Sequence, residues 1–487
     1  DRAGERPENR ENSLQTAGKP ASIDAPCQKA PAGLVDIAKD LTISPGWHGD
    51  CYKVIAERKQ KIWPYLTPEN RGPFTASTKM KKDQKGDFPM GPLTGIKVVD
   101  FTLAHAGSMT AMLLADYGAE VIKIEKTKTG ELARTWAPYD EKGNSGYFAY
   151  LNRGKRDLCI DCRSPEGKEI IKKLVAEADV VTENFKFGSM DRMGLGYDVL
   201  KEINPKLVYA SLNGFGQTGP RKNVIGLDLH LQSMGGIIDG TGYPGKFPTR
   251  VGAALSDQIS GVYMAIAIMT ALEAVKKTGK GQRIDIGILD CVFSMVEGSV
   301  VAYTLNGEHI SRNGNNYPSI SPYDTFEAKD GYISISAGTD RQWAIFCKAF
   351  GMEQYITDPR YATNEARGNN YNSGLRDEIE ACTRQMTRAE IEKICLENKL
   401  PCGPVCTVPE AMANPTVAAR DMLIQVNDPA MGEITMPGIP IKLTNCPGGV
   451  ERGAPLLGQD TAYYLKSLGF SDADIAKLVE AGVAKLA

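Results

Sequence analysis

Residues 95–125 read GIKVVDFTLAHAGSMTAMLLADYGAEVIKIE, and their reading decides the fold. Gly95–Phe101 is a short β-branched strand, Ala106–Tyr117 places its apolar residues at helical spacing, and Ala119–Glu125 is a second strand. A helix between two such strands is one βαβ unit, which joins its strands in parallel. Further strands follow at Asp157–Asp161, Asp179–Thr182 and Lys206–Leu212, with a helix over Pro165–Glu177. Alternation of this kind predicts an α/β fold, a Rossmann-like open parallel sheet with helices on both faces.

Beyond Ser256 the sequence predicts a long apolar helix, a strand over Gln282–Leu289 and another helix reaching about Leu305. The texture then changes. Asp324–Ala337 reads as a hairpin about Asp330 and Gly331, followed by amphipathic helices near 339–350, 374–384 and 387–397 and a helical pair near 460–485. We expect a large α/β domain over residues 91–305, a smaller α+β domain over 306–420, and a segment over 421–487 that returns to the large domain. Residues 1–90 read as an N-terminal extension without chemistry of its own, with a short helix from Asp50 to Ile62 and a basic stretch from Lys79 to Lys85.

Composition narrows the function. The chain has 487 residues, and its 57 Lys and Arg against 59 Asp and Glu leave a net charge of -2, which disfavours a nucleic-acid binder relying on phosphate neutralisation. No run approaches eighteen uninterrupted apolar residues, so neither a membrane span nor a membrane partner is expected. Eleven cysteines, an odd number in a long chain, suit a reducing compartment; the expectation is a cytoplasmic protein, or an organelle-matrix one if an upstream targeting segment has been removed.

Several motifs invite sharper readings. Gly214-Phe215-Gly216-Gln217-Thr218-Gly219 matches a dinucleotide fingerprint, but it is followed by Pro220-Arg221-Lys222-Asn223 without helical periodicity, and the first βα turn lacks the pattern. A glycine-rich turn that admits some other ligand fits better than NAD binding. Cys159 and Cys162 lie on or beside a strand, where i and i+3 face opposite ways, and the four histidines at 48, 105, 230 and 309 are scattered; no metal site is expected. Asn152-Arg153-Gly154-Lys155-Arg156, with Lys123, Lys126 and Arg192, reads either as solvated turns or as cations lining a polyphosphate site at the carboxyl ends of the strands. Asp228, Asp239 and Asp257 each stand beside small residues that let a substrate come close, and each is equally a helix-cap or turn residue.

Taken in order, GIKVVDFT, LLADYGAEVIKIE, NRGKRDLCIDCRSPEGK, the run from Ala178 to Pro220, GLDLHLQSMGG, GQRIDIGILD and APLLGQDT resemble the family III CoA-transferases, the CaiB/BaiF group that includes formyl-CoA transferase and is related to the α-methylacyl-CoA racemases. The resemblance spans Gly95–Met295 and the tail from Ala454. It implies a CoA-thioester substrate, no tightly bound cofactor, and an interlocked homodimer. It also places CoA contacts at His105, Ala106, Lys126, Ile160, Asp161, Arg163, Asn184, Phe185, Lys186 and Arg192, with Asn213, Gly214, Phe215 and Gly216 near the thioester.

The activity implied is acyl-CoA:carboxylate CoA transfer through an aspartate that attacks the thioester. The family's T-G-x-x-D-G-P-P loop matches Thr241–Pro248, which puts Gly245 at the nucleophile's place and leaves Asp239 or Asp228 to take over. The racemase alternative keeps Asp257 as its second acid/base residue but has Leu227 in place of the expected His, with His230 three residues displaced. A noncatalytic acyl-CoA-binding homologue and, outside the family, an NAD-dependent oxidoreductase are the remaining readings.

Overall fold

A computed structural model describes residues 91–317 and 319–487; the helix expected at Asp50–Ile62 and the basic stretch at Lys79–Lys85 lie outside the described residues. The chain runs β1 (Lys97–Asp100), α1 (Ala106–Asp116), β2 (Glu120–Glu125), α2 (Gly146–Asn152), β3 (Arg156–Cys159), α3 (Pro165–Ala176), β4 (Val180–Glu183), α4 (Tyr197–Ile203) and β5 (Val208–Asn213). It continues through α5 (Asp228–Met234), α6 (Leu255–Thr278), β6 (Gln282–Gly287), α7 (Ile288–Phe293) and α8 (Glu297–Asn306). The six strands form one parallel sheet in the order β3-β2-β1-β4-β5-β6. Strand order reverses between β1 and β4, the place where an open α/β sheet leaves a crevice for a ligand at its carboxyl edge.

Continuous apolar strands are explained by burial on both faces. Val98, Val121, Val180 and Val208 meet α1 and α6 through Leu114, Met264 and Ile268. Their neighbours Val99, Ile122, Val181 and Tyr209 point the other way, onto Ile171 and Leu174 of α3 and Leu200 of α4. Each such side chain, removed from water, contributes roughly 1.5–3 kcal/mol.

Several strands are shorter than their sequence suggests, β1 among them, which spans Lys97–Asp100 and not Gly95–Phe101. The strand expected to Leu289 ends at Gly287, because the Leu289 amide turns back to the Gly214 carbonyl at 3.0 Å and the run ILDCVF becomes α7. An apolar run of that length fits either period. The strand expected to Asp161 stops at Cys159, and Ile160 instead makes a single bridge to Ala484.

Residues 323–404 build a core of their own. The antiparallel strands β7 (Tyr323–Ala328), β8 (Gly331–Ser336) and β9 (Cys402–Pro404) pack Phe326, Ile333 and Ile335 against Trp343 and Phe346 of α9 (Asp340–Ala349), Ile379 of α10 (Arg376–Thr383) and Ile391 of α11 (Arg388–Glu397). A hairpin of β10 (Leu423–Asp428) and β11 (Gly432–Pro437) follows.

The chain then returns to the sheet as α12 (Thr461–Ser467) and α13 (Asp472–Glu480). It closes the exposed edge of β3 with side chains: the Asp157 amide donates to Asp460 Oδ2 at 3.0 Å and the Cys159 amide to Thr461 Oγ1 at 2.9 Å. An edge left open would be a template for pairing with another chain. Tyr464, Leu465, Ile475 and Leu478 complete the apolar layer beneath.

Candidate active site

The residues expected to contact CoA lie at the carboxyl ends of β1 to β5 or in the segments that directly follow them, so the topology brings them to one edge of the sheet. His105 caps α1 and Ala106 begins it; the turn before them is held rigidly, with Ala104 at φ +59°. Asp100 receives the Thr102 amide, the Thr182 hydroxyl and the Lys155 ammonium, each at 2.9 Å. The Asn184 side-chain amide spans the β1/β4 crevice, accepting from the Leu103 amide at 2.8 Å and donating to the Leu103 carbonyl at 2.7 Å. Asn184 is therefore occupied by the turn.

Lys126, Arg163 and Lys186 are exposed just beyond the strand ends and Arg192 is exposed on the short helix Ser189–Met193, whereas Ile160 is buried and Asp161 spends an oxygen on the Arg163 amide at 3.0 Å. Phe185 donates its amide to Glu183 at 2.8 Å.

The basic cluster is largely buried and structural, which corrects both of its expected roles, a solvated turn and a polyphosphate site. Arg153 is buried and doubly bonded to Asp116 at 3.1 and 2.7 Å, Lys155 is buried on Asp100, and Lys123 is buried on Glu131 at 2.7 Å. Burial alone would push Lys123 down, but Glu131 and Asp100 hold its pKa above the ordinary lysine value. None of the three is free to meet a phosphate.

The glycine loop opens no helix, since α5 begins only at Asp228. Asn213 Oδ1 accepts from the Phe215 amide at 3.1 Å, and a Cβ on Gly214 would lie 2.9 Å from the Gly226 Cα, which makes glycine necessary there. Gly216 turns at φ +75°, and the Gln217 amide points at the Asp285 carboxylate at 3.0 Å, not at an open anion site. That arrangement is unsuited to a pyrophosphate. The nine described cysteines are free thiols, and among the described residues no group of three or more His, Cys, Asp or Glu is placed to hold a metal ion.

The three candidate carboxylates have distinct surroundings. Both oxygens of Asp228 are engaged: Oδ1 accepts from the Ser256 amide at 3.0 Å and from its hydroxyl at 2.5 Å, and Oδ2 accepts from Gln232 at 2.9 Å. Gln232 in turn holds the Val251 amide at 3.0 Å, so Asp228 fastens the start of α6 to α5. Asp239 is half-exposed and paired with His309 at 2.8 Å and Arg312 at 3.1 Å, which keep its carboxyl below the usual range. Gly245, at the place the family loop assigns to the nucleophile, is an exposed turn residue at φ +70° with no neighbour near its Cβ position.

Asp257 is different. It lies in the first turn of α6, and its carboxylate has no hydrogen bond or ion pair among the described residues. Burial and the nearby charge of Asp228 push its pKa up to about 7. Its position follows from one glycine: a Cβ on Gly261 would stand 2.8 Å from the Ala106 carbonyl, and the Thr110 hydroxyl reaches the Gly261 carbonyl at 2.9 Å. That contact seats the start of α6 beside the start of α1, where His105 stands.

One residue without a sequence signal completes the site. Tyr147, in the first turn of α2, places its hydroxyl 3.0 Å from His105 Nδ1, and its ring meets His105 and Trp136 edge-on at 5.7 and 5.3 Å. Burial, Asp257 and Glu131 together raise the Tyr147 pKa, so the phenol stays protonated. Burial also lowers the His105 pKa against the opposing charge of Asp228, so the imidazole is neutral at pH 7. The only hint in the sequence is Ser145, whose hydroxyl accepts from the Phe148 amide at 3.1 Å and so fixes where α2 starts.

Comparison with known proteins identifies the family. Residues 93–461 match the model of CoA-transferase family III. The chain is 36% identical over 392 residues, 80% of its length and 97% of the relative's, to a succinyl-CoA–D-citramalate CoA-transferase of Chloroflexus aurantiacus. It is 34% identical over 393 residues, 80% of its length and 90% of the relative's, to a human succinyl-CoA:glutarate CoA-transferase. A solved CaiB/BaiF family protein from Brucella suis is similar at 38% identity with a TM-score of 0.71, covering 78% of this chain and 99% of that one. The chain is a CoA-transferase and belongs to family III.

Proposed function

We propose that Asp257 is the nucleophile, that the acyl donor and acceptor are dicarboxylic acids or their monothioesters, and that the working form is a homodimer. The single observation that carries the first point is the unpartnered, half-buried Asp257 carboxylate, set against an Asp228 consumed by the fold and an Asp239 held by two cations. A carboxylate stripped of hydrogen bonds is the more reactive nucleophile, provided that it is ionised. Support for dicarboxylates comes from the relatives, whose names join succinyl-CoA to citramalate or glutarate.

The chemistry balances without protons. An Asp257 oxygen bonds to the thioester carbonyl carbon and the C–S bond breaks, giving a mixed anhydride and CoA thiolate. The thiolate attacks the aspartyl carbonyl and expels the donor acid, leaving CoA on Asp257. The acceptor carboxylate then repeats the two steps in reverse order, which regenerates the free aspartate. Both anhydrides need a site closed to water, and the thiolate must persist between steps.

The dimer reading rests on an apolar outer face. Val262, Tyr263, Ile266 and Met269 of α6 and Val301, Tyr303 and Leu305 of α8 are exposed. By length and composition alone, Leu255–Thr278 and Ile288–Asn306 are apolar enough to cross a membrane. Since α6 is built into the sheet's core through its other face, a second copy is the occupant that fits, and a patch of this kind marks an interface. Light scattering at micromolar concentration should give twice the chain mass; a monomer overturns the dimer.

The test of the site is to incubate the protein with succinyl-CoA and hydroxylamine and map modified peptides by mass spectrometry. A hydroxamate on Asp257 supports the reading, whereas one on Asp228 or Asp239, or none with bound thioester, overturns it. Exchange of labelled succinate into succinyl-CoA reports turnover, and solvent deuterium at the α-carbon of a branched acyl-CoA would instead favour racemisation.

A further inference from the structure

We propose that Tyr147 and His105 form a hydrogen-bonded pair in which the phenol donates to Nδ1, fixing the imidazole proton on Nε2, and that this neutral Nε2–H is the donor that holds the oxyanion formed when the thioester is attacked. The inference rests on the reading of Asp257 as nucleophile, and it adds a catalytic residue and a residue that positions it.

The geometry starts from the phenol. Tyr147 Oη lies 3.0 Å from His105 Nδ1, which is its hydrogen-bonding partner in the structure. The ring is gripped edge-on by Trp136 on one side and His105 on the other, so the hydroxyl is aimed and not free to swing. Trp136 is itself anchored, because its carbonyl accepts from the Ser145 hydroxyl that caps α2. A phenol that keeps its proton has one donor to give, and given to Nδ1 it leaves Nε2 as the protonated nitrogen. His105 Nε2 has no partner among the described residues; His105 caps α1, whose Ala106 carbonyl lies against Gly261, one turn beyond Asp257 in α6, and the charge of Asp228 acts on the imidazole.

A neutral donor is what the reaction requires. The first step creates a negative oxygen and then a thiolate. An imidazolium beside them would surrender its proton to a thiolate, whose conjugate acid is about two units weaker as an acid, and a protonated thiol cannot attack the anhydride. A neutral imidazole N–H stabilises the oxyanion and keeps its proton, as a neutral histidine can at an enolising carbonyl. The groups that face the pair are consistent with this. Asp228 and Asp257 both carry negative charge when ionised and would draw His105 towards imidazolium, and its burial opposes them.

The test uses the intact protein labelled with 15N-histidine. Only four histidines contribute, and the His105 signals are those lost in His105→Gln. Between pH 6.5 and 8 the wild type should show His105 as the Nε2–H tautomer, and Tyr147→Phe should show a mixture of tautomers or a histidine that protonates at higher pH. In turnover, His105→Ala should lose about 10²-fold in kcat with a smaller change in KM, and His105→Gln, which restores an N–H donor, should recover most of the loss. A wild-type Nδ1–H tautomer, an imidazolium at pH 7, or equal kcat for the Ala and Gln variants would overturn the proposal. Hydroxylamine trapping separates the two readings. If wild type fails to label Asp257 while His105 shows the expected tautomer, the nucleophile assignment is wrong and the pair stands as a structural unit; if Asp257 labels at the wild-type rate in His105→Ala, the donor role is wrong.

Discussion

Replacing Asp257 by Asn should make the protein more stable as it abolishes transfer, and the gain should depend on pH. In the unfolded chain the Asp257 carboxyl ionises near 3.8, and in the folded protein near 7, because burial and Asp228 disfavour its charge. Between those values the unfolded state loses its proton first, so folding stability falls as pH rises, and the whole penalty is present above about pH 7. At about 1.36 kcal/mol per pH unit the ceiling of that penalty is about 4 kcal/mol, reduced by whatever water and side-chain relaxation reach the carboxylate. The substitution is nearly isosteric, so the comparison isolates the charge: the amide cannot ionise and escapes the penalty. Urea midpoints at pH 5 and pH 8, at one protein concentration, should show a variant advantage that grows by roughly 2 kcal/mol over that interval. CoA exchange should fall by about 10⁴-fold or more in the same variant. An advantage that is the same at both pH values would refute the reasoning, since it would mean that Asp257 ionises in the folded protein as it does in water.

The same ionisation governs turnover. kcat/KM should climb about tenfold from pH 6 to pH 8 as the nucleophile loses its proton, and Asp228→Asn, which removes the neighbouring charge, should move that limb to lower pH; a limb that stays in place would show that Asp228 does not act on Asp257. Lys155→Met removes the ion-pair partner of the buried Asp100 carboxylate, leaving Lys123 as its nearby cation, and should cost about 3 kcal/mol in a denaturation experiment, largely recovered by adding Asp100→Asn. Gly261→Ala sets a methyl group 2.8 Å from the Ala106 carbonyl and should cost about 1–3 kcal/mol, with a drop in kcat because α6 must move away from α1; unchanged kcat at reduced stability would disconnect that contact from the site.

The sheet was legible because its strands are short, β-branched runs separated by helical spacing, and both periods survive in the sequence. β1 and β2 follow from residues 95–125 alone, and the hairpin about Asp330 and Gly331 is seen as expected. Element ends were less legible. Ile288 and Leu289 suit a strand as well as a helix, and only the contact of Leu289 with Gly214 decides between them.

For the site, the position of each βα turn could be read, but not which charges face inward. Arg153 and Lys155 resemble a phosphate-binding run in sequence, and their burial depends on Asp116 and Asp100, partners 37 and 55 residues away. Asp257 resembles any helix-start aspartate until Asp228 is seen fastened beside it. Tyr147 belongs to no motif, since what singles it out is a meeting with His105 across 42 residues.

The closure of β3 by Asp460 and Thr461 has a consequence in time. Those hydrogen bonds link residues separated by 302 and 303 positions. A ribosome adding about 5–20 residues per second needs roughly 15–60 s to traverse that interval. Throughout it, the nascent sheet exists with its outer strand unpaired and the apolar layer that awaits Tyr464 and Ile475 uncovered. The native sheet of this chain is therefore complete only once its own distal segment has been made.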